Sequence, residues 1–187
     1  MILLLLGCPP DGEVDDDAAL GALGLGRANP FPSVELLSDG AMALREGDLP
    51  VADDNIAWDF GPFNRRAGFS VVQPSVAMFE VPLDADAVGG QDSVGTDGTV
   101  VMVDLDSGAA IPCFAELDAA DDAIATGKRA LIVRPMLAMT PGHTVAVVVT
   151  SGLTSGGEPL ELPAPEGHYA ELQSRLAGLG YDDVVVA

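Results

Sequence analysis

The sequence predicts an all-β fold, an antiparallel β-sandwich that carries one amphipathic helix near its C-terminus. Three observations predict it. Short runs rich in β-branched residues recur at 69–72, 76–81, 99–105, 111–117, 130–134 and 144–150, each closed by turn residues. No long helical pattern separates them, which disfavours a parallel sheet with its crossover helices. Aromatics make up only 5% of the 187 residues, so the core has to come from Val, Leu, Ala and Ile.

Taken in order, the chain opens on an oily run, Ile2 to Leu6, that stops at Gly7-Cys8. The run is far short of the roughly 20 residues that span a bilayer. Leu5-Leu6-Gly7-Cys8 resembles the lipobox of bacterial lipoproteins, which implies that residues 1–8 are a shortened signal and that Cys8 is lipidated. A buried first strand is the second reading of the run. Residues 9–30, from Pro9-Pro10-Asp11-Gly12 onward, have the composition of a flexible acidic tether. The Gly21, Gly24 and Gly26 spacing there is the wrong order for a dinucleotide loop, and no strand precedes it.

The domain proper is expected over 31–187. Its first part, to Arg66, is rich in Pro, Gly and Asp and reads as irregular, with Trp58, Phe60 and Phe63 pinning it to the rest. Asp106-Ser107-Gly108 reads as a hairpin turn, and Pro141-Gly142 as the turn that launches the 144–150 strand. The helix is expected over 166–178, because Tyr169, Leu172 and Leu176 share a face, Pro165 suits its start, and Gly178 and Gly180 suit its stop. A last short strand is expected at 184–186.

Eight basic residues against 29 acidic ones give a formal charge of −21, which excludes a nucleic-acid partner by repulsion of phosphate. An anionic membrane repels it too, so membrane attachment requires an anchor such as a lipid on Cys8. The acidity fits either adaptation to high salt or the solubility of an extracytoplasmic protein.

The residues that could carry chemistry are few. No G-x-S-x-G elbow occurs, and Gly68-Phe69-Ser70 lacks its second glycine at Val72, so Ser70 reads as a strand residue. His143 and His168 are the only histidines and neither sits in H-E-x-x-H; either could meet a carboxylate in space, but each is expected to be an exposed residue near an element's end. Cys113 alternates with Ile111, Ala115 and Leu117 and is expected to point into the core. Asp84, Asp86 and Asp92 in one loop region, and Asp104 with Asp106 beside the hairpin, could supply oxygen ligands to calcium, but neither set matches the D-x-[DN]-x-[DN]-G loop. No other cofactor is expected.

Several stretches carry a resemblance. Phe79-Glu-Val-Pro82-Leu83-Asp84-Ala-Asp86-Ala-Val88, the run 130–135, and 139–160 resemble bacterial Ig-like domains of the S-layer-associated type. Asn29-Pro-Phe-Pro-Ser33 and Ala67-Gly68-Phe69-Ser70 are similar to the N-terminal domain of bacterial virulence-factor lipases, in which an Ig-like region precedes a catalytic α/β-hydrolase domain. The resemblance covers roughly residues 29 to 187 and implies an Ig-like sandwich. It leaves function open, because such folds host many roles. The expected function is a non-catalytic, lipid-anchored module of a bacterial cell envelope protein that spaces, presents or docks a protein partner. The alternative is the N-terminal accessory domain of a secreted lipase or esterase whose catalytic domain lies beyond residue 187. A third reading, binding of carbohydrate or calcium, has only Trp58, Tyr169 and Tyr181 as its Trp and Tyr for sugar stacking.

Overall fold

The computed structural model describes residues 2–4, 30–48, 59–79, 81–88, 98–119, 130–160, 168–181 and 184–185. In chain order its strands are β1 (Ile2–Leu4), β2 (Leu37–Ser38), β3 (Ala41–Met42), β4 (Ser75–Ala77), β5 (Val100–Asp104), β6 (Ala110–Ile111), β7 (Cys113–Leu117), β8 (Leu131–Pro135), β9 (Val145–Thr150), β10 (Thr154–Ser155), β11 (Glu158–Pro159) and β12 (Val184–Val185). The helix α1 (His168–Gly178) precedes the last of them. Among the described residues the fold is therefore mostly β with one α-helix. All pairings are antiparallel except that of β1, which runs parallel to β9.

β5 and β9 form the centre. They pair with Met102 opposite Val147 and Val101 opposite Val148, and every residue of β5 and all but Thr150 of β9 are buried. A strand buried on both faces has no polar side, which is why these two read as continuous Val-rich runs instead of alternating ones. β6 extends this sheet beyond β5, while β1 and β12 lie along the other edge of β9, against residues 145–147 and 149–150 respectively.

A second sheet, in the order β4, β8, β7, supplies cover on one side. Val100, Met102, Val145, Val147 and Val149 from the first sheet share one core with Ala77, Cys113, Ala115, Leu117, Leu131 and Val133 from the second. Here the alternation is strict: β7 reads buried, half-buried, buried along its length, and its outer face presents Glu116, whose Oε1 accepts a 2.7 Å bond from Arg134 Nε. The predicted strand at 111–117 is divided between the sheets. Residues 110–111 pair with β5, residues 113–117 pair with β8, and Pro112, with no N–H to give to either ladder, marks the crossing.

Helix α1 covers the opposite face of the central pair. Leu172, Leu176 and Tyr181 pack with Val101, Val103, Leu105, Ala146 and Val148. The helix stops as its sequence predicts: Gly180 adopts φ 89°, its N–H donates to Ala177 O, and Tyr181 N–H donates to Leu176 O. This is a Schellman cap, and the Tyr181–Leu176 pair supplies its apolar contact.

The segment before β4 is less irregular than its composition predicts. Asp39 and Gly40, at φ 51° and 77°, form a two-residue turn between β2 and β3, the positive-φ geometry that an Asp-Gly pair favours. Leu36, Met42 and Leu44 form a small cluster under Phe31, Phe60, Phe63 and Phe69, and Asn64 bonds both the N–H and the C=O of Leu44 at 2.8 Å. Phe60 and Phe63 thus pack within their own segment, in a cluster separate from the core between the two sheets, instead of pinning it onto the strands behind; Trp58 lies outside the described residues. One predicted strand is absent. Residues 69–72 form a turn, in which Gly68 at φ 114° redirects the chain, Phe69 meets Phe31 edge-on at 5.9 Å, and Val72 is exposed. Four residues between a left-handed glycine and Gln73-Pro74 leave too little extended chain to join a ladder. Of the tether at 9–30, only Pro30 is described.

Leu176 is fully buried at the centre of the helix contact. Leu176→Ala should lower unfolding free energy by about 2–5 kcal/mol in urea titration. Ser174→Ala, on the exposed face, should change it by less than about 0.5 kcal/mol.

Candidate functional site

A densely connected polar group lies where β5 ends. Asp104 is the last residue of the strand, and its side chain is only 8% exposed. Oδ1 accepts the N–H groups of Asp106 at 2.9 Å and Ser107 at 3.2 Å, which folds the chain over into the turn before β6. Gly108 closes that turn with φ 73° and an N–H bond to Asp104 O. A Cβ on Gly108 would come within 3.0 Å of Leu179 Cδ2, so the turn also fits closely under the end of the helix.

The other oxygen of Asp104 faces the segment leading into β9. Oδ2 lies 2.8 Å from His143 Nδ1. One residue on, Thr144 N–H donates to Asp106 Oδ2 at 2.6 Å, and Thr144 O accepts from Leu105 N–H at 2.9 Å. The helix joins from the side: Arg175 Nη2 donates to Leu105 O and lies 3.7 Å from Asp106 Oδ1. Two carboxylates thus tie together the end of β5, the start of β9 and the last turns of α1. Burial pushes the Asp104 carboxyl up, but the bond to His143 and the N–H groups of Asp106 and Ser107 outweigh it and hold the group at about 2, below its ordinary 3.8.

Against His143 lies a cavity of about 270 Å³. Its wall includes Phe69, Ser70, Val71, Met139 and Thr140, so it sits between the turn at 69–72 and the loop before β9. Ser70 is exposed, and its Oγ accepts Val72 N–H at 3.4 Å within its own turn. A second carboxylate does similar work elsewhere. Asp84 accepts from Thr154 Oγ1 at 2.6 Å and from the N–H groups of Gly157 at 2.8 Å and Gly156 at 3.0 Å. These donors, led by Thr154, lower its pKa and fix the β10–β11 turn, whose glycines have φ 61° and 83°.

The structure sorts the sequence-derived candidates. Asp104 and Asp106, read as flanking a hairpin, do so, and His143 joins them instead of standing alone at a strand end. Asp84 spends its oxygens on a hairpin, Asp86 is exposed beside it, and Asp92 is outside the described residues. Cys113 is fully buried in the core with its thiol pushed up by desolvation, as its alternation predicts. Tyr181 is 6% exposed under the helix, so its ring is not presented for sugar stacking. Cys8 and the side chains of His168 and Tyr169 lie outside the described residues. Which carboxylate meets His143 was inferable from pairing: once 99–105 and 144–150 are antiparallel neighbours, Asp104 stands opposite Val145, two residues from His143.

Asp104→Ala should destabilise the fold by about 1–3 kcal/mol, because the Asp106 and Ser107 N–H groups and His143 lose their acceptor. Because the folded-state pKa is depressed, the carboxylate's contribution is fully present above pH 3.8 and is lost as pH falls through about 2. Acid titration of wild type and variant, followed by circular dichroism, should therefore converge over that window. No family model, curated protein or solved structure matches this chain, so its role has to be argued from this geometry.

Proposed function

We propose that the chain is a non-catalytic, Ig-like β-sandwich module of a bacterial envelope protein, held at a membrane by a lipid on Cys8, which spaces or docks a partner outside the cytoplasm. The observation that carries this reading is how the polar groups best placed for chemistry are used. Asp104 and Asp84 spend their oxygens on the backbone N–H groups of turns and on neighbouring side chains, so both carboxylates build loops. The closely tied core under a −21 surface gives a rigid, soluble body of the kind a spacer needs. Support for the anchor is the Leu5-Leu6-Gly7-Cys8 lipobox pattern and the acidic linker composition that follows it.

The pairing of Ile2–Leu4 with Val145–Val147 favours a second reading of the N-terminus, in which the oily run is kept as an edge strand of the central sheet. Lipoprotein processing ahead of Cys8 would remove that strand and leave this stretch of β9 without it. The two readings make opposite predictions. Expressed in a bacterium fed an alkyne analogue of palmitate, the chain should be labelled, lose the label in Cys8→Ser, and have a mass that lacks residues 1–7. An unlabelled protein that retains Ile2–Leu4 would sink the anchor. The non-catalytic part fails separately if the purified chain hydrolyses p-nitrophenyl esters and His143→Ala abolishes the turnover.

A further inference from the structure

Asp104, Asp106 and His143 each place a donor atom within 4.8 Å of the other two. The three come from different segments, two on the β5–β6 turn and one on the loop before β9, and the pairing of β5 with β9 sets their separation. We infer that this cluster is a binding site for a divalent transition-metal ion of the zinc and cobalt type, with one imidazole nitrogen and two carboxylate oxygens as protein ligands.

The donor set decides which ion. Calcium takes six to eight oxygens and has little use for imidazole, whereas nitrogen with carboxylate oxygen suits zinc, cobalt and nickel. Metal–ligand bonds in such sites are about 2.0–2.2 Å. The donor atoms, all within 4.8 Å of one another, close on one ion by side-chain adjustment. Exposure is graded across the site: the side chain of Asp104 is 8% exposed, that of His143 34% and that of Asp106 43%. An ion would thus enter past Asp106 and be backed by Asp104, with open positions left for water.

The proton balance closes. Neutral imidazole carries one proton, and while Nδ1 bonds Asp104 Oδ2 that proton lies between them. When Nδ1 takes the ion, that proton moves to Nε2 and the ring stays neutral. Arg175, 3.7 Å from Asp106 Oδ1, brings an opposing charge to the site and holds the affinity down.

The test uses the whole 187-residue chain, stripped with a chelator and titrated with Co²⁺. An acidic surface collects cations without specificity, so the readout is the rise and shift of the visible d–d absorption of Co²⁺ relative to the hexaaqua ion, which reports a change of ligands and geometry, together with its stoichiometry. The expected result is one saturable Co²⁺ per chain, displaced by Zn²⁺ and untouched by millimolar Ca²⁺. His143→Ala should remove that rise. Asp106→Asn, at an exposed position that leaves the core alone, should weaken binding by more than the ~10-fold that loss of even a supporting partner costs. Asp86→Asn should behave as wild type. The inference is overturned if wild type shows no saturable rise, if a folded Asp106→Asn binds as wild type does, or if Ca²⁺ displaces the ion.

Discussion

The rest of the structure depends on two strands having water on neither side. β5 and β9 pair over five residues, and burial on both faces obliges the chain to supply a cover for each. The β4–β8–β7 sheet is one cover, and Leu172, Leu176 and Tyr181 are the other. Side-chain volume follows from that position. Met102 and the valines fill the side facing a second sheet, whereas Ala146 between Val101, Val103 and Val148 leaves room for leucines descending from a helix. Neither cover has a partner for its apolar side without the pair, and the pair cannot stay dry without both covers.

Charge in this protein is less a surface coating than a set of fasteners. Asp104 folds one turn and catches the next strand's leader; Asp84 holds the β10–β11 turn; Asp48, itself 3% exposed, accepts Arg45 N–H at 2.7 Å. An aspartate is suited to this work because its short carboxylate reaches backbone N–H groups two or three residues along. With only eight basic residues in the chain, ion pairs are scarce partners, and N–H groups take their place.

Much of this architecture is legible in the sequence. The two Val-rich runs, the Asp106-Ser107-Gly108 turn and the helix stop at Gly180 each obey a local rule, and each is realised. What was not legible depends on partners distant in the chain. The run at 69–72 has strand residues but no ladder to join, and Phe69 goes to Phe31 instead. The run at 111–117 has one pattern but two destinations, which only the positions of β5 and β8 distinguish. The β2–β3 hairpin was marked by Asp39-Gly40, a signal obscured by the Pro and Gly around it. The site divides the same way. Asp104 and Asp106 declared themselves as turn residues, whereas His143 gained its meaning only from the register that sets β9 beside β5.

Because residues 110–117 belong to both sheets, the two layers are joined by main chain as well as by side-chain packing. Layers held by packing alone can shear by exchanging one set of van der Waals neighbours for another. Here, shear has to break the ladder of β6 on β5 or that of β7 on β8, since Pro112 between them offers no slack. Relative movement of the two layers is therefore opposed by backbone hydrogen bonds as well as by side-chain contacts.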